Sequence, residues 1–409
     1  MNQNTNQTRL DYFLLLSWSF YALALPLSMS ATNIALGLAL ALTLLKIIRN
    51  RKNHHFFSIP LLPFSFLFLF FFWTSATLYF VHHLPLNFSV FGKIWNLLPL
   101  CLLPAAALSA NDVRQLLKIS AATAAIVVIL GGIQYAFGIH YFWEIWTKDQ
   151  FIEQRRFIGF QSHPLHAAAL YSVLCLGSFS LALDALNTKN DAKNDEKFQW
   201  FFLAFILAVG VCLNASRSYY VGLLAGIFYL LFRKSWKALA LGILVFGIFY
   251  GAIKHSSSYI NERITTMVPS QTDESGRQRL FMWQAAKNII LDHPVCGIGY
   301  RQWKNYVLEY LQKIPNWTLV DDAIFAHAHN SYLTVAAETG IVGLALFLLF
   351  WIALLRQFLK NRSALGQGAV AVILALMFAA VFEHNLMTAT VCLSAFFLFG
   401  LAQSLENAE

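Results

Sequence analysis

The feature that most constrains this chain is the recurrence of apolar stretches about as long as the roughly 18 to 20 residues needed to cross a bilayer core. They fall near residues 12–28, 31–48, 60–81, 88–109, 119–137, 165–183, 199–214, 218–232, 236–253, 332–355, 368–384 and 388–404. Twelve spans are therefore expected, each with ends fixed only to within several residues. Of the 409 residues, 58% are hydrophobic, 12% are charged and 37 are Phe, which excludes an ordinary soluble domain. The expected fold class is an all-α polytopic membrane protein. The polar opening M-N-Q-N-T-N-Q-T-R-L-D lacks a basic n-region and a small-residue cleavage site, so the first span is expected to stay in the mature chain.

The distribution of Lys and Arg orients the spans, because short cytoplasmic loops hold the excess of positive charge. With the N-terminus inside, the inner segments carry Arg9; Lys46, Arg49, Arg51 and Lys52; Arg114 and Lys118; Lys189, Lys193 and Lys197; Arg233, Lys234 and Lys237; and Arg356, Lys360 and Arg362. The short outer loops hold only Lys93, Lys148, Arg155, Arg156 and Arg217. Both termini are thus expected inside, and the formal charge of +9 reads mostly as an orientation signal. No basic stripe interleaved with aromatics points to nucleic acid.

This topology leaves one long segment outside. The chain divides into residues 1–253 with nine spans, an outer loop domain at 254–330, and residues 331–409 with three spans. Inside the loop, S-G-R-Q-R-L-F-M-W-Q-A-A-K-N-I-I-L-D-H-P offers a cap at Ser275, apolar positions from Leu280 to Leu291 and a stop at Pro294. A helix on or near the membrane surface is expected, with Arg277 and Arg279 in its first turn. The following G-I-G, Gly297 to Gly299, reads as a turn.

Where the loop meets the tenth span, the sequence runs A-H-A-H-N-S-Y-L-T-V-A-A-E-T-G-I-V-G. Asn330 or Ser331 can cap the helix that starts there. His329 is then held at the membrane boundary, where an imidazole with an ordinary pKa near 6.5 can exchange a proton with water or a lipid-anchored substrate. The same placement suits a residue that only caps or anchors the helix. His327 stands two positions earlier, a spacing that does not favour one helix face, so a metal site is not expected. Glu338 lies about two and a half turns into the span, as a structural or pathway residue. His384, in E-H-N after the eleventh span, supports the site or anchors the interface.

The outer arginines narrow the chemistry. Arg217, in N-A-S-R-S-Y-Y, sits in a tight turn with almost no loop to expose it. Arg155 and Arg156 lie in F-I-E-Q-R-R-F-I-G-F, near His163 and His166. With Arg279 these form a set of guanidinium forks suited to a diphosphate near the membrane surface. Headgroup anchoring, or pairing with Glu153 or Asp273, would also account for them. Four of the five cysteines, Cys101, Cys175, Cys212 and Cys392, fall within spans and only Cys296 in the loop, so no internal disulfide is expected. No Walker A, C-x-x-C, H-E-x-x-H or nucleophile-elbow pattern is present, and no cofactor is called for.

H-A-H-N-S-Y-L-T-V-A-A-E-T-G-I-V-G-L, S-G-R-Q-R-L-F-M-W with H-P-V-C-G-I-G-Y, and S-R-S-Y-Y-V-G together resemble the bacterial O-antigen ligase and polymerase superfamily. In motif detail the resemblance covers about the last half of the chain. It implies a metal-independent glycosyltransferase on the periplasmic face of the inner membrane. The donor would be an undecaprenyl diphosphate-linked glycan, and the acceptor a hydroxyl of the lipid A-core oligosaccharide. On this resemblance His329 is the base, Arg279 and Arg217 hold the diphosphate, and R-R-F-I-G-F supplies a further Arg without deciding between Arg155 and Arg156. One base and direct attack would invert the anomeric centre. Within the superfamily, the loop of about 75 residues and the lack of a large soluble C-terminal extension favour ligase over protein O-oligosaccharyltransferase. They separate ligase from polymerase weakly. A lipid or solute transporter shares the twelve-span layout, but the reactive side chains gather on one face, and no internal repeat accompanies Pro26, Pro99 and Pro104.

Overall fold

A computed structural model describes residues 9–49, 61–83, 89–137, 157, 159–186, 194–214, 216–256, 274–317 and 327–408. Among these residues the chain is helical and has no strand. The helices are α1 (Arg9–Ala24), α2 (Met29–Arg49), α3 (Leu61–Ala76, prolonged by a π turn Thr77–Val81), α4 (Ser89–Trp95), α5 (Leu98–Ala106), α6 (Ala110–Phe137), α7 (Pro164–Ala185) and α8 (Asn194–Leu213). There follow α9 (Arg217–Lys234), α10 (Trp236–Ser256), α11 (Glu274–Asp292), α12 (Trp303–Gln312), α13 (Ser331–Lys360), α14 (Ala364–Ala379) and α15 (Ala389–Ala408). Among the described residues seven segments are long and apolar enough to cross a membrane: α2, α3 with its π turn, α6, α7, α8, α13 and α15. This is a multi-pass membrane protein.

The expected span at 88–109 is instead two short helices. Pro99 sits in the first turn of α5 and Pro104 lies inside it. Each removes a backbone donor, and the turn at Asn96 and Leu97 separates α4 from α5.

Helix α7 is the hub. It is apolar on all sides and buried along nearly its whole length, packing against α8, α14 and α15. Helix α9 lies along α14, where a Cβ at Gly222 would collide with the carbonyl oxygen of Ala375. That close approach sets the N-terminus of α9, and with it Arg217, beside the residues that follow α14. Outward faces carry Phe20, Ile34, Phe68, Phe72, Ile126, Phe205 and Leu244, all exposed, as lipid contact requires. Two of the charges expected on the inner side have partners: Lys46 binds Asp11 (2.8 Å) and the Ala106 carbonyl (2.8 Å), and Arg233 donates to Gln367 (3.0 Å). Arg217 and Arg233 bound α9, so they lie about 24 Å apart at ~1.5 Å per residue.

Helices α11 and α12 form a second, smaller core of Met282, Ala285, Ile289, Ile298, Trp303, Val307 and Leu311, joined by Ala328 and Ala337. It is fastened to α13 through an interruption of that helix. At Gly340 the backbone turns to φ 69°, ψ −176°, and residues 294–299 dock into the gap. The N–H groups of Ile298 and Gly299 donate to the freed carbonyls of Ala337 and Glu338 (both 2.9 Å), Trp73 Nε1 donates to that of Thr339 (2.9 Å), and Ile341 N–H donates to Pro294 O (2.8 Å). Three carbonyls and one N–H at the break thus gain partners, as backbone groups inside a membrane protein require. Only glycine fits at 340: its φ is positive, and a Cβ there would overlap the Val295 carbonyl. The G-I-G segment, expected to be a simple turn, is this docking strip.

Candidate active site

Three chain segments meet at the loop side of the bundle: the first turns of α11, the start of α13, and the connection 380–388 between α14 and α15. Asn330 is the residue that caps α13; its side chain accepts from Leu333 N–H (3.0 Å). Ser331 then ties the helix start to the connection. Its N–H donates to the carbonyls of Ala380 (2.9 Å) and Glu383 (3.1 Å), and its hydroxyl donates to Glu383 O (2.9 Å) while accepting from Asn385 N–H (3.1 Å). Trp283 of α11 rests on Phe382 with ring centroids 6.3 Å apart.

This scaffold brings Glu383 between two expected site residues. Arg279 Nη2 lies 2.6 Å from Glu383 Oε1, and His329 Nδ1 lies 3.5 Å from Oε2, an ion-pair distance longer than a hydrogen bond. The Glu383 side chain is 3% exposed, which makes its charge costly without such partners. Burial would raise its pKa, but the Arg279 guanidinium and His329 outweigh that and hold it at about 2. The carboxylate is therefore ionised at neutral pH. Glu383 was missed in the sequence, where E-H-N drew attention to His384; its strongest partner is 104 positions away.

The histidines stack. The His327 ring is 4.5 Å from that of His329, edge to face, and 5.0 Å from that of His384. His329 has φ +49°, uncommon for any residue but glycine, and its N–H donates to Nδ1 of His327 (3.2 Å). Strain of this sort persists where surrounding contacts enforce it. Burial, with the His329 and His384 rings beside it, lowers the His327 pKa to about 2, and burial with Lys93 lowers that of His384 to about 4. Both are neutral rings at pH 7. Among the described residues no group of three or more His, Cys, Asp or Glu converges as metal ligands.

His163 caps α7, accepting from Leu165 N–H (3.1 Å), with its ring 5.5 Å from that of His166. It is close enough to affect His327 electrostatically. Arg217 opens α9 after a turn held by Asn214, whose amide donates to Phe157 O (2.6 Å). Two residues on, Tyr219 is buried near Asn385 and Glu383. Arg277 shares the first turns of α11 with Arg279, but only Arg279 reaches Glu383. Glu338 is buried and accepts from Trp303 N–H (3.3 Å), away from the Arg279–Glu383–His329 group. Arg155 and Arg156 lie outside the described residues.

The O-antigen ligase family model matches residues 202–348, which contain Arg217, Arg279 and His329. Over that stretch, about a third of its length, the chain is similar to the O-antigen ligase family. Relatives agree with that family. A protein of Rickettsia bellii named "Putative polysaccharide ligase" is 26% identical over 176 residues, 42% of each chain. One of the same name from Rickettsia typhi is 27% identical over 174 residues, 38% of this chain and 39% of its own. The O-antigen ligase of Salmonella typhimurium is 24% identical over 174 residues, 40% of this chain and 41% of its own. The matches thus span about two fifths of the length of these relatives.

Proposed function

We propose that this protein is an O-antigen ligase of the bacterial inner membrane, with its site facing the periplasm and both termini cytoplasmic. It moves a glycan from undecaprenyl diphosphate to a hydroxyl of the lipid A-core oligosaccharide, without a metal and with inversion. The observation that carries this reading is the Arg279–Glu383–His329 group, built on a buried carboxylate, beside the N-terminus of α9. Glycosyl transfer from a diphosphate needs a base for the incoming hydroxyl and fixed positive charge for the leaving group.

In this mechanism Glu383 faces Nδ1 of His329 and orients the ring, leaving Nε2 for the acceptor. His329 Nε2 takes the hydroxyl proton as the acceptor oxygen bonds to the anomeric carbon. The bond from that carbon to the diphosphate oxygen breaks on the opposite face, and undecaprenyl diphosphate leaves with the electron pair. Arg279 and Arg217 bear the charge that grows on it, and one of Arg155 and Arg156 would add a further fork. His327 and His384, neutral and stacked, hold His329 in its strained backbone conformation.

The test is surface-glycan profiling by gel in a knockout complemented with wild-type protein or His329→Ala, with expression checked. Polymerised glycan left on the carrier with a bare lipid A-core, restored by the wild type and not by the variant, supports the ligase. Carrier-linked chains of single repeats would make the protein a polymerase, and an active His329→Ala would remove the assigned base. Export of substrate unaffected by Arg217, Arg279 and His329 substitutions would point to a transporter.

A further inference from the structure

The chemistry above leaves a large cavity unused. It lies beyond the His327–His384 pair, between α4, α12, α13 and the start of α15, with a volume of about 880 Å³. That is within the ~300–1,000 Å³ range of small-molecule sites. Arg217, Arg279, Glu383 and His329 are not part of its lining, whereas His327, which meets His329 edge to face, is. His327 thus stands between the base and this cavity.

The cavity wall has a distinct chemistry. Trp95, Tyr300 and Trp303 offer flat aromatic surface, Asn33 and Asn96 offer amides, and Lys93, Arg301 and Lys304 offer three cations against the single carboxylate of Glu338. Aromatic faces and amides suit sugar rings, and clustered cations suit an anion. Two polar atoms of the wall are buried with no hydrogen-bond partner among the described residues: the indole Nε1 of Trp303, a residue 1% exposed, and Nδ1 of His384. Buried polar atoms of this kind ordinarily have a partner, so the pair points to a ligand with acceptors or hydroxyls. The Lys93 ammonium is anchored to Met387 O (2.7 Å), which fixes its place in the wall.

We propose that this cavity is the acceptor subsite and that Lys93, Arg301 and Lys304 select an acceptor saccharide carrying a phosphate or carboxylate. This rests on the glycosyl-transfer reading above and adds to it the substrate class on the second side of the base. The donor diphosphate occupies the Arg217–Arg279 side, the anionic sugar occupies the cavity, and the acceptor hydroxyl reaches His329 past the edge of His327.

The experiment uses the full chain in lipid nanodiscs, with carrier-linked glycan as donor and core oligosaccharide-lipid from a ligase-deficient strain as acceptor. Arg301→Gln and Lys304→Glu, both at exposed positions, are compared with the wild type. Each is expected to raise the acceptor KM by about tenfold or more, the loss expected for one charge-assisted hydrogen bond, and to leave the donor KM unchanged. Stripping phosphates from the acceptor, or reducing its carboxyls, should abolish the difference between wild type and variants, and the treatment that does so identifies the anion. Binding of the lipid-free core oligosaccharide, read by saturation-transfer NMR, follows the subsite without any transfer. If the wild type transfers glycan and the variants keep its acceptor KM, the subsite is wrong and the ligase stands. If the wild type transfers nothing, yet binds the oligosaccharide and the variants do not, the subsite stands and the ligase is wrong.

Discussion

At Asn330 helix α13 begins because a side chain caps it; ten residues on, at Gly340, it breaks because the backbone of residues 294–299 displaces its own hydrogen bonds. The two discontinuities flank the same stretch of helix and differ in what enforces them. The first is built of side chains, Asn330, Ser331 and Thr334, the last bridging the Asn330 carbonyl (2.8 Å) and Ala328 N–H (3.2 Å). Its neighbours His329 and Glu383 are likewise defined by side-chain chemistry. The second is built of backbone, apart from Trp73. A boundary made of side chains yields in graded steps and can be tuned, and it is where the reactive groups sit. A boundary made of backbone either forms or does not.

Gly340→Ala should separate the two most sharply. With positive φ and a carbonyl in the path of the new Cβ, it is expected to cost at least about 3 kcal/mol, read as a lower thermal midpoint and poor yield in detergent. At the other boundary, Glu383→Gln keeps the shape and removes the charge. Transfer is expected to fall about 100-fold while the folded fraction changes far less, since the loss lies in orienting the base and pairing Arg279. Equal effects of the two substitutions on folding would erase the contrast.

Acidification probes the side-chain boundary through His327 and Glu383. The folded pKa of His327, about 2, lies below its ordinary 6.5, so the unfolded chain binds a proton that the folded one does not. Stability is therefore full above pH 6.5 and falls below it, by as much as about 1.4 kcal/mol per pH unit for each such group. Glu383, at about 2 against an ordinary 4.5, adds its own loss only below pH 4.5. His327→Gln should lessen the slope of the unfolding midpoint from pH 6.5 downward, leaving the part that His384 supplies above about pH 4 and the part that Glu383 adds below pH 4.5. The smallest effect is expected of Asn330→Ala, about 1 kcal/mol for a lost cap, with Asn330→Ser restoring most of it.

What was legible in the sequence follows the same division. The cap at Asn330, with His329 just before it, and the loop helix, with Arg277 and Arg279 in its first two turns, are written in local patterns of a few residues. The apolar runs give the membrane helices for the same reason. Glu383 was not legible, because its role depends on Arg279, brought near by the packing of α11 on α13. The break at Gly340 was hidden too: T-G-I-V-G continues the apolar period, and nothing within it reports that a strip some 45 residues upstream will enter. The division of 88–109 was half visible in Pro99 and Pro104, which read as interruptions of a span and act as its end.

The join between residues 294–299 and α13 also bears on how such a chain can vary. Because its hydrogen bonds run between main-chain groups, Val295 and Cys296 can be exchanged without altering the attachment, provided the glycines remain. Tyr300, Arg301, Trp303 and Lys304 follow directly and form one wall of the cavity. Their places are thus inherited from a framework indifferent to their identity, and specificity can drift on that wall while His329 and Glu383 stay where they are, as variable loops do on a constant scaffold.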